Sequence, residues 1–262
     1  MPLSAITSSV DRIQKLRPER ERLDRALVTR GLVASREDAA RLILAGLVRV
    51  DGMIVDKAAK PILPDAEVVV IGRGSPYVGR GGEKLAAALD QFQVDPKGMV
   101  CFDVGCSTGG FTDCLLQRGA ARVYAVDVGY GQFDWRLRQD PHVLLKERTN
   151  IRYLEAGFIQ DPINLVVIDV SFISLTLVLP CVVSYLENSG SVITLIKPQF
   201  EVGKGLVGRG GIVRDDGLRQ AVAEKVVACA DQLGLEMAGR MESPIEGRKG
   251  NREILVWFRR RR

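Results

Sequence analysis

Residues 100–111 read Val100-Cys-Phe-Asp-Val-Gly-Cys-Ser-Thr-Gly-Gly-Phe111, and this stretch says more about the fold than any other. Its first five residues form a short, mainly apolar run, as expected of a buried parallel strand. Gly105, Gly109 and Gly110 follow where the chain must turn from this strand into a helix. Glycine lets the backbone approach a ligand closely, and doubly wound α/β folds bind nucleotides at such turns. The stretch therefore predicts a Rossmann-like domain with a nucleotide-type ligand.

The sequence beyond this turn alternates between short apolar runs and helical patterns, which is typical of a mainly parallel sheet. The predicted helices are residues 83–92 and 218–233. The predicted strands are 100–104, 123–128, 143–146, 165–170, 192–196 and 254–258, with 240–245 as a weaker candidate. We therefore predict a mainly parallel, seven-stranded α/β domain over residues 83–262.

The sequence before this domain divides into three parts. Residues 1–21 are polar and charged, with Pro18 interrupting any helix, and predict a flexible extension. Residues 22–72 predict a small α+β domain, in which two short helices precede a hairpin turning at Asp51-Gly52 and a third strand at 68–71. Residues 73–82 are rich in glycine and predict a linker.

The spacing of the glycines narrows the choice of ligand. Gly105 and Gly109 form GxxxG rather than the GxGxxG that binds a dinucleotide pyrophosphate, so a nucleoside without phosphates fits better than a dehydrogenase cofactor. Asp103 could accept a hydrogen bond from a methionine amine, and Asp127, 22 residues after Gly105, could accept from ribose hydroxyls. The alternative is an ordinary turn in which both carboxylates are caps. The residues predicted to contact the ligand are Asp103, Gly105, Ser107, Thr108, Gly109, Gly110, Phe111, Asp127, Val128 and Asp169.

Asp169 lies at the carboxyl end of the predicted strand 165–170 and limits the reactions that the site could carry out. The Pro-Pro-aromatic sequence typical of amino methylation is absent after it, and no cysteine follows closely to serve as the nucleophile of carbon-5 methylation. Methyl transfer to a hydroxyl remains, and it requires a base such as a partly buried lysine. Lys197 ends a predicted buried strand, Lys84 opens the helix after the linker, and Glu253 opens the last strand.

The ordered set Lys84, Asp169, Lys197 and Glu253 resembles the K-D-K-E tetrad of FtsJ-like ribose 2′-O-methyltransferases, and nearly the whole chain resembles the TlyA family. The resemblance implies S-adenosyl-L-methionine as cofactor and cytidine 2′-O-methylation of ribosomal RNA, with Lys197 as base and Lys84 as its helper. The chain departs from the family at Gly79, where serine is common. The matching segments are residues 77–85, 103–113, 149–152, 168–172 and 196–201.

The N-terminal module resembles the S4 RNA-binding domain, through Arg22-Leu-Asp24, Gly31, Ser35-Arg36 and Gly46-Leu-Val48. The residues predicted to bind RNA are Arg22, Ser35, Arg36 and Arg41, because arginines on one helix can grip phosphates. The alternative is a solvated helix face. Ribosomal RNA or a ribosomal subunit is the expected partner, with no obligate protein partner evident.

The composition limits the remaining possibilities. The chain has 262 residues, 46% of them hydrophobic and 26% charged, and neither an apolar run of membrane-spanning length nor a secretory signal is evident. We therefore expect a cytoplasmic protein without membrane contact. Five cysteines without a CxxC pair and a single histidine, His142, predict no metal site. Two alternatives remain: an RNA-binding protein with an inert methyltransferase fold, and a membrane-active hemolysin.

Overall fold

The structure, a computed structural model, describes residues 20–33, 35–71, 75–203, 205–247 and 250–261. The chain divides into two compact units, residues 1–74 and residues 75–262. Most of the predicted flexible extension, residues 1–21, lies outside the described residues, as do residues 73 and 74 of the predicted linker.

The first unit is a small α+β domain around its own apolar core, which includes Leu23, Leu27 and Ile43. The hairpin is confirmed, because both Asp51 and Gly52 have positive φ, as its tight turn requires. The described residues of this unit form two sheets, one pairing β1 with β4 and one ordered β3-β2-β5. Its elements are β1 (Glu21–Arg22), α1 (Leu23–Thr29), α2 (Arg36–Leu44), β2 (Val48–Val50), β3 (Met53–Ile54), β4 (Pro61–Ile62) and β5 (Val68–Val70).

The second unit contains helices and strands in alternation, with the last strands antiparallel. Its first half consists of α3 (Gly81–Phe92), β6 (Val100–Val104), α4 (Gly110–Gln117), β7 (Arg122–Val126), α5 (Trp135–Arg138) and β8 (Val143–Lys146). Its second half consists of β9 (Ile163–Ile168), α6 (Leu175–Val183), β10 (Leu186–Ile196), α7 (Pro198–Glu201), α8 (Asp216–Gln232), β11 (Leu235–Glu242) and β12 (Ile254–Arg260).

The seven strands form one sheet in the order β11-β12-β10-β9-β6-β7-β8, so the predicted fold is confirmed. Strands β10, β9, β6, β7 and β8 are parallel, whereas β12 is antiparallel to both β10 and β11. The strand order changes direction at β6, because β7, the next strand in the chain, lies on one side of it and β9 lies on the other. A ligand site in such a sheet lies outside the carboxyl ends of the strands at this reversal.

Several predicted element bounds differ from the structure, and the strand predicted at 192–196, for example, is β10, which begins at Leu186. The weak strand predicted at 240–245 is β11, which begins five residues earlier and ends at Glu242. Helix α3 begins at Gly81, so the last two residues of the predicted linker are helical. The glycines there serve close packing, because a Cβ at Gly82 would lie 2.3 Å from the Tyr77 ring and one at Gly110 would lie 3.0 Å from the Gly82 nitrogen.

Candidate active site

The turn after β6 has the backbone conformation that its glycines predict. The groups that these glycines allow to come close, however, are other parts of the protein. Gly105 has φ +87°, and a Cβ there would lie 2.6 Å from the carbonyl oxygen of Asp169. Gly109 has φ +95°, and a Cβ there would lie 2.5 Å from the Leu137 side chain. These glycines therefore allow the ends of β6 and β9 to meet and the start of α4 to pack closely.

Asp103 is fully buried at the carboxyl end of β6. Thr112 donates a hydrogen bond to its Oδ2 at 2.7 Å, whereas Oδ1 accepts none from the described residues. Burial raises the pKa of this carboxyl to about 7; the Thr112 hydroxyl lowers it, and the nearby carboxylates of Asp169 and Asp127 raise it further. The buried Oδ1 is thus an acceptor that requires a donor.

Asp127 follows β7 and fixes the backbone around the turn. Its Oδ2 accepts a hydrogen bond from the Ser107 amide at 2.8 Å, and its Oδ1 accepts one from the Gly129 amide at 2.6 Å. A carboxylate has about four acceptor positions, so further donors such as hydroxyls can still bind. The carboxylate therefore has a capping role and also keeps capacity for a ligand.

The remaining predicted contacts divide between the surface and the core. Ser107 and Thr108 are exposed on the turn, and Val128 is 69% exposed after β7. Phe111 is only 3% exposed and lies in a core cluster with Leu85 and Leu115. A large ring is stable in such a core, so Phe111 has a packing role, and its predicted contact with a ligand stays a prediction.

The four charged residues of the predicted tetrad form two ion pairs. Lys197 Nζ lies 2.6 Å from Asp169 Oδ1, and Lys84 Nζ lies 2.5 Å from Glu253 Oε2. The second pair is deeply buried, with side-chain exposures of 9% and 3%, whereas the first is partly accessible, with 13% and 21%. A reacting group can therefore reach Lys197 more easily than Lys84.

The sheet register brings these pairs to one edge. Ile196 of β10 pairs with Ile254 of β12, so Lys197 and Glu253 each lie one residue beyond the same register position. The start of α3 adjoins Asp169, because a Cβ at Gly81 would lie 3.7 Å from its Oδ2. The four residues therefore meet at the carboxyl edge, beside the turn that follows β6.

Sequence reasoning missed three side chains of this region. Ser171 Oγ accepts a hydrogen bond from Lys197 Nζ at 2.9 Å, which gives the amine a second anchor. Phe172 has φ +65° and is 90% exposed, with its ring centroid 4.9 Å from that of Phe200. An exposed aromatic in the strained left-handed region is a signal visible only in the structure.

The four residues predicted to bind RNA lie in the first unit, and the structure assigns each a local partner. Arg22 and Arg36 both form ion pairs with Asp24, at 2.9 and 2.8 Å. The Arg22 guanidinium, with a smaller contribution from Arg36, holds the pKa of the Asp24 carboxyl well below its usual range. Burial of the carboxyl opposes this effect. Ser35 caps α2 by accepting from the Asp38 amide at 3.1 Å, and Arg41 pairs with Asp38 at 2.8 Å. The three arginine side chains remain 45–62% exposed.

The fold and the site define a methyltransferase-type α/β domain. The FtsJ-like methyltransferase family model matches residues 77–260, and the S4 domain model matches residues 21–68. Of the helices that the structure describes, none combines the length and apolar character that a membrane crossing requires.

Individual relatives that match most of the chain show more narrowly which family it belongs to. The 16S/23S rRNA (cytidine-2'-O)-methyltransferase TlyA of Mycobacterium tuberculosis is 46% identical over 92% of this chain and 90% of its own. Hemolysin A of Brachyspira hyodysenteriae is 41% identical over 90% of this chain and 99% of its own. A solved structure of a hemolysin-named protein from Streptococcus thermophilus is 42% identical, with a TM-score of 0.73, over 93% of this chain and 89% of that one. This chain belongs to the TlyA family, in which an S4 domain precedes an FtsJ-like methyltransferase domain.

Proposed function

We propose that this protein uses S-adenosyl-L-methionine to methylate the 2′ hydroxyl of cytidine in ribosomal RNA. The observation that carries the proposal is the meeting of two lysine–carboxylate pairs, Lys197–Asp169 and Lys84–Glu253, beside the turn after β6. The names of the relatives support the same substrate, because the Mycobacterium tuberculosis protein is an rRNA (cytidine-2'-O)-methyltransferase.

The residues around the turn fit the cofactor. Asp103 Oδ1 is a buried acceptor without a partner among the described residues, and the amine of the methionine moiety would supply a donor. Asp127 has acceptor positions left for ribose hydroxyls, and the exposed Ser107 and Thr108 border the turn. When bound, S-adenosyl-L-methionine would supply an electrophilic methyl group.

Lys197 is the group that we expect to accept the proton of the target hydroxyl. Its amine is held by Asp169 at 2.6 Å and by Ser171 at 2.9 Å, so its position at the carboxyl edge is fixed by two partners. A ribose hydroxyl is a weak nucleophile unless its proton is removed as the methyl group transfers. Removing that proton with a positioned base contributes typically 10²–10⁴-fold to the rate.

Lys84 and Glu253 support this arrangement from the interior. Because both side chains are buried, their pair fixes the start of α3 against the start of β12. Phe172 is exposed next to Asp169 and Ser171 and offers a face on which a nucleobase could stack. The first unit, with its S4 domain match, would bind the RNA elsewhere along its length.

The test of the proposal is the Lys197→Ala variant, assayed for cofactor binding and for methyl transfer to ribosomal subunits. We expect calorimetry to give an unchanged Kd for S-adenosyl-L-methionine, while methyl transfer falls about 10²–10⁴-fold. An Arg259→Ala variant is the matched control, because this residue lies at the far end of the sheet from Lys197. Unchanged turnover in Lys197→Ala would refute the role of the lysine, and wild-type protein that fails to bind the cofactor would indicate an inert fold.

A further inference from the structure

Two chain segments lie against each other at the carboxyl edge of the sheet. The β9 segment, residues 171–175, follows β9 and enters α6, and the β10 segment, residues 197–201, follows β10 and contains α7. One contact between them is the hydrogen bond that Lys197 donates to Ser171 at 2.9 Å. The position of the Lys197 amine therefore depends on how these two segments are held together.

Glu201, the last residue of α7, makes a second polar contact between the segments. Its side chain is buried, with an exposure of 6% for the residue. Its Oε2 accepts a hydrogen bond from Ser174 Oγ at 2.6 Å, and its Oε1 accepts one from the Leu175 amide at 2.7 Å. Among the described residues, no lysine or arginine forms an ion pair with it. A carboxylate is costly to bury unless its oxygens are satisfied, so these two hydrogen bonds hold Glu201 against the β9 segment.

The single turn of α7 connects Glu201 to Lys197. The Phe200 amide donates to the Lys197 carbonyl at 2.9 Å, and the Val202 amide donates to the Pro198 carbonyl at 3.0 Å. Pro198 occupies the first position of the helix, where its fixed φ favours the helical conformation. A shift of Glu201 would therefore be passed on to the backbone of Lys197.

Phe172 lies in the β9 segment between Ser171 and the residues that Glu201 binds. Its φ of +65° is in the left-handed region, which a bulky side chain seldom adopts. Such a conformation persists only where the surrounding contacts hold it. Its ring adds one such contact, because its centroid lies 4.9 Å from that of Phe200. Without the hydrogen bonds of Glu201, this backbone could relax and Ser171 could move away from Lys197.

We infer that Glu201 is a positioning residue for methyl transfer, whose buried carboxylate holds Ser171 against Lys197. The inference rests on the proposed function, because it takes Lys197 as the base. Glu201 acts through Ser171 rather than by touching the reacting groups. A carboxylate that only capped the start of α6 would contribute to stability and leave the Lys197 amine unchanged.

The first test measures the reactivity of the Lys197 amine in the full chain and needs no methyl transfer. Brief treatment with acetic anhydride, followed by mass spectrometry of peptides, gives the acetylation rate of Lys197 relative to Lys97. Lys97 is exposed and precedes β6 at the opposite edge of the sheet. Glu201→Leu removes both hydrogen bonds with a side chain of similar size. Glu201→Gln keeps an acceptor for the Leu175 amide and a donor for the Ser174 hydroxyl.

Two further variants complete this test. Asp161→Ala is the control, because this carboxylate also accepts two side-chain hydrogen bonds, from Tyr124 at 2.7 Å and from Arg122 at 2.6 Å. It precedes β9, at the opposite end of that strand from Ser171. Ser174→Ala removes only one of the two hydrogen bonds of Glu201, and it replaces Glu201→Leu if the latter does not fold.

We expect Glu201→Leu to raise the relative acetylation rate of Lys197 about two- to tenfold, because loss of the Ser171 hydrogen bond frees the amine. Glu201→Gln and Asp161→Ala should match the wild type, and Ser174→Ala should show a smaller rise. An unchanged rate in Glu201→Leu, or in Ser174→Ala where the former does not fold, would overturn the inference. An equal rise in Asp161→Ala would overturn it as well.

The second test is a double-mutant cycle in methyl transfer. Glu201→Leu and Ser171→Ala should each lower kcat about tenfold with an unchanged Kd for S-adenosyl-L-methionine, and the double variant should fall no further. Independent effects would multiply to about a hundredfold, and that result would refute action through Ser171. Wild-type protein that transfers no methyl group would contradict the proposed function, whereas the acetylation comparison would still show whether Glu201 positions Lys197.

Discussion

Removal of the Lys84 amine should destabilise the second unit strongly, because it leaves the Glu253 carboxylate buried without its partner. The two side chains are 9% and 3% exposed and lie 2.5 Å apart. Breaking one side of a buried pair costs about 3–5 kcal/mol. For a unit of this size, each kcal/mol shifts Tm by about 2–4 °C, so Lys84→Ala should lower Tm by roughly 6–20 °C.

The assay is urea unfolding followed by tryptophan fluorescence, since both tryptophans, Trp135 and Trp257, lie in the second unit. A Lys84→Met/Glu253→Leu variant removes both charges and should be more stable than Lys84→Ala, because no buried charge is left alone. Arg240→Ala serves as the control: its partner Glu224 is 65% exposed, so the decrease in stability should be at most about 1 kcal/mol. A cost below about 1 kcal/mol for Lys84→Ala, or a double variant no more stable than it, would refute this reasoning.

Three further predictions concern the turn after β6 and the Lys197 amine. Because burial raises the pKa of Asp103 to about 7, wild-type stability should fall as the pH rises from about 4 to about 7. Urea unfolding should show Asp103→Asn gaining on wild type by about 2–3 kcal/mol between pH 5 and pH 8, and no pH-dependent gain would contradict this. Ser171→Ala removes one anchor of Lys197, so turnover should fall by about tenfold or more with an unchanged Kd for S-adenosyl-L-methionine, and a changed Kd with normal turnover would argue against a positioning role. Gly105→Ala would place a Cβ 2.6 Å from the Asp169 carbonyl oxygen at a residue with φ +87°, so its Tm should be lower than that of the wild type. A Tm within about 2 °C of wild type would show that the turn is not constrained as described.

The sheet could be predicted from the sequence wherever a strand is a compact apolar run. Strands 100–104 and 143–146 have the predicted bounds, because buried parallel strands leave a local apolar signal. Strand β10 instead begins at Leu186 and runs through Glu-Asn-Ser-Gly-Ser before its buried half, so its polar start carried no such signal. Helix α6 contains Pro180 inside an apolar run, and neither feature indicates a helix.

The candidate site was only partly predictable, because its geometry depends on contacts between distant residues. The sequence showed the types of the tetrad residues and their positions at strand and helix ends. It could not show that Lys84 pairs with Glu253, because the two residues are 169 positions apart. The glycines near residue 80 predicted a linker, since composition alone does not distinguish a flexible segment from one packed too closely for a Cβ.

The central claim is methylation of a cytidine 2′ hydroxyl, and the most direct measurement locates the methyl group on the product. Purified protein would be incubated with labelled S-adenosyl-L-methionine and each ribosomal subunit, followed by digestion of the RNA and mass spectrometry of both the oligonucleotide fragments and the nucleosides. We expect label in 2′-O-methylcytidine at a defined position, absent with Lys197→Ala and retained with Arg259→Ala. Label on a base, or none on either subunit from protein that binds the cofactor, would contradict the claim.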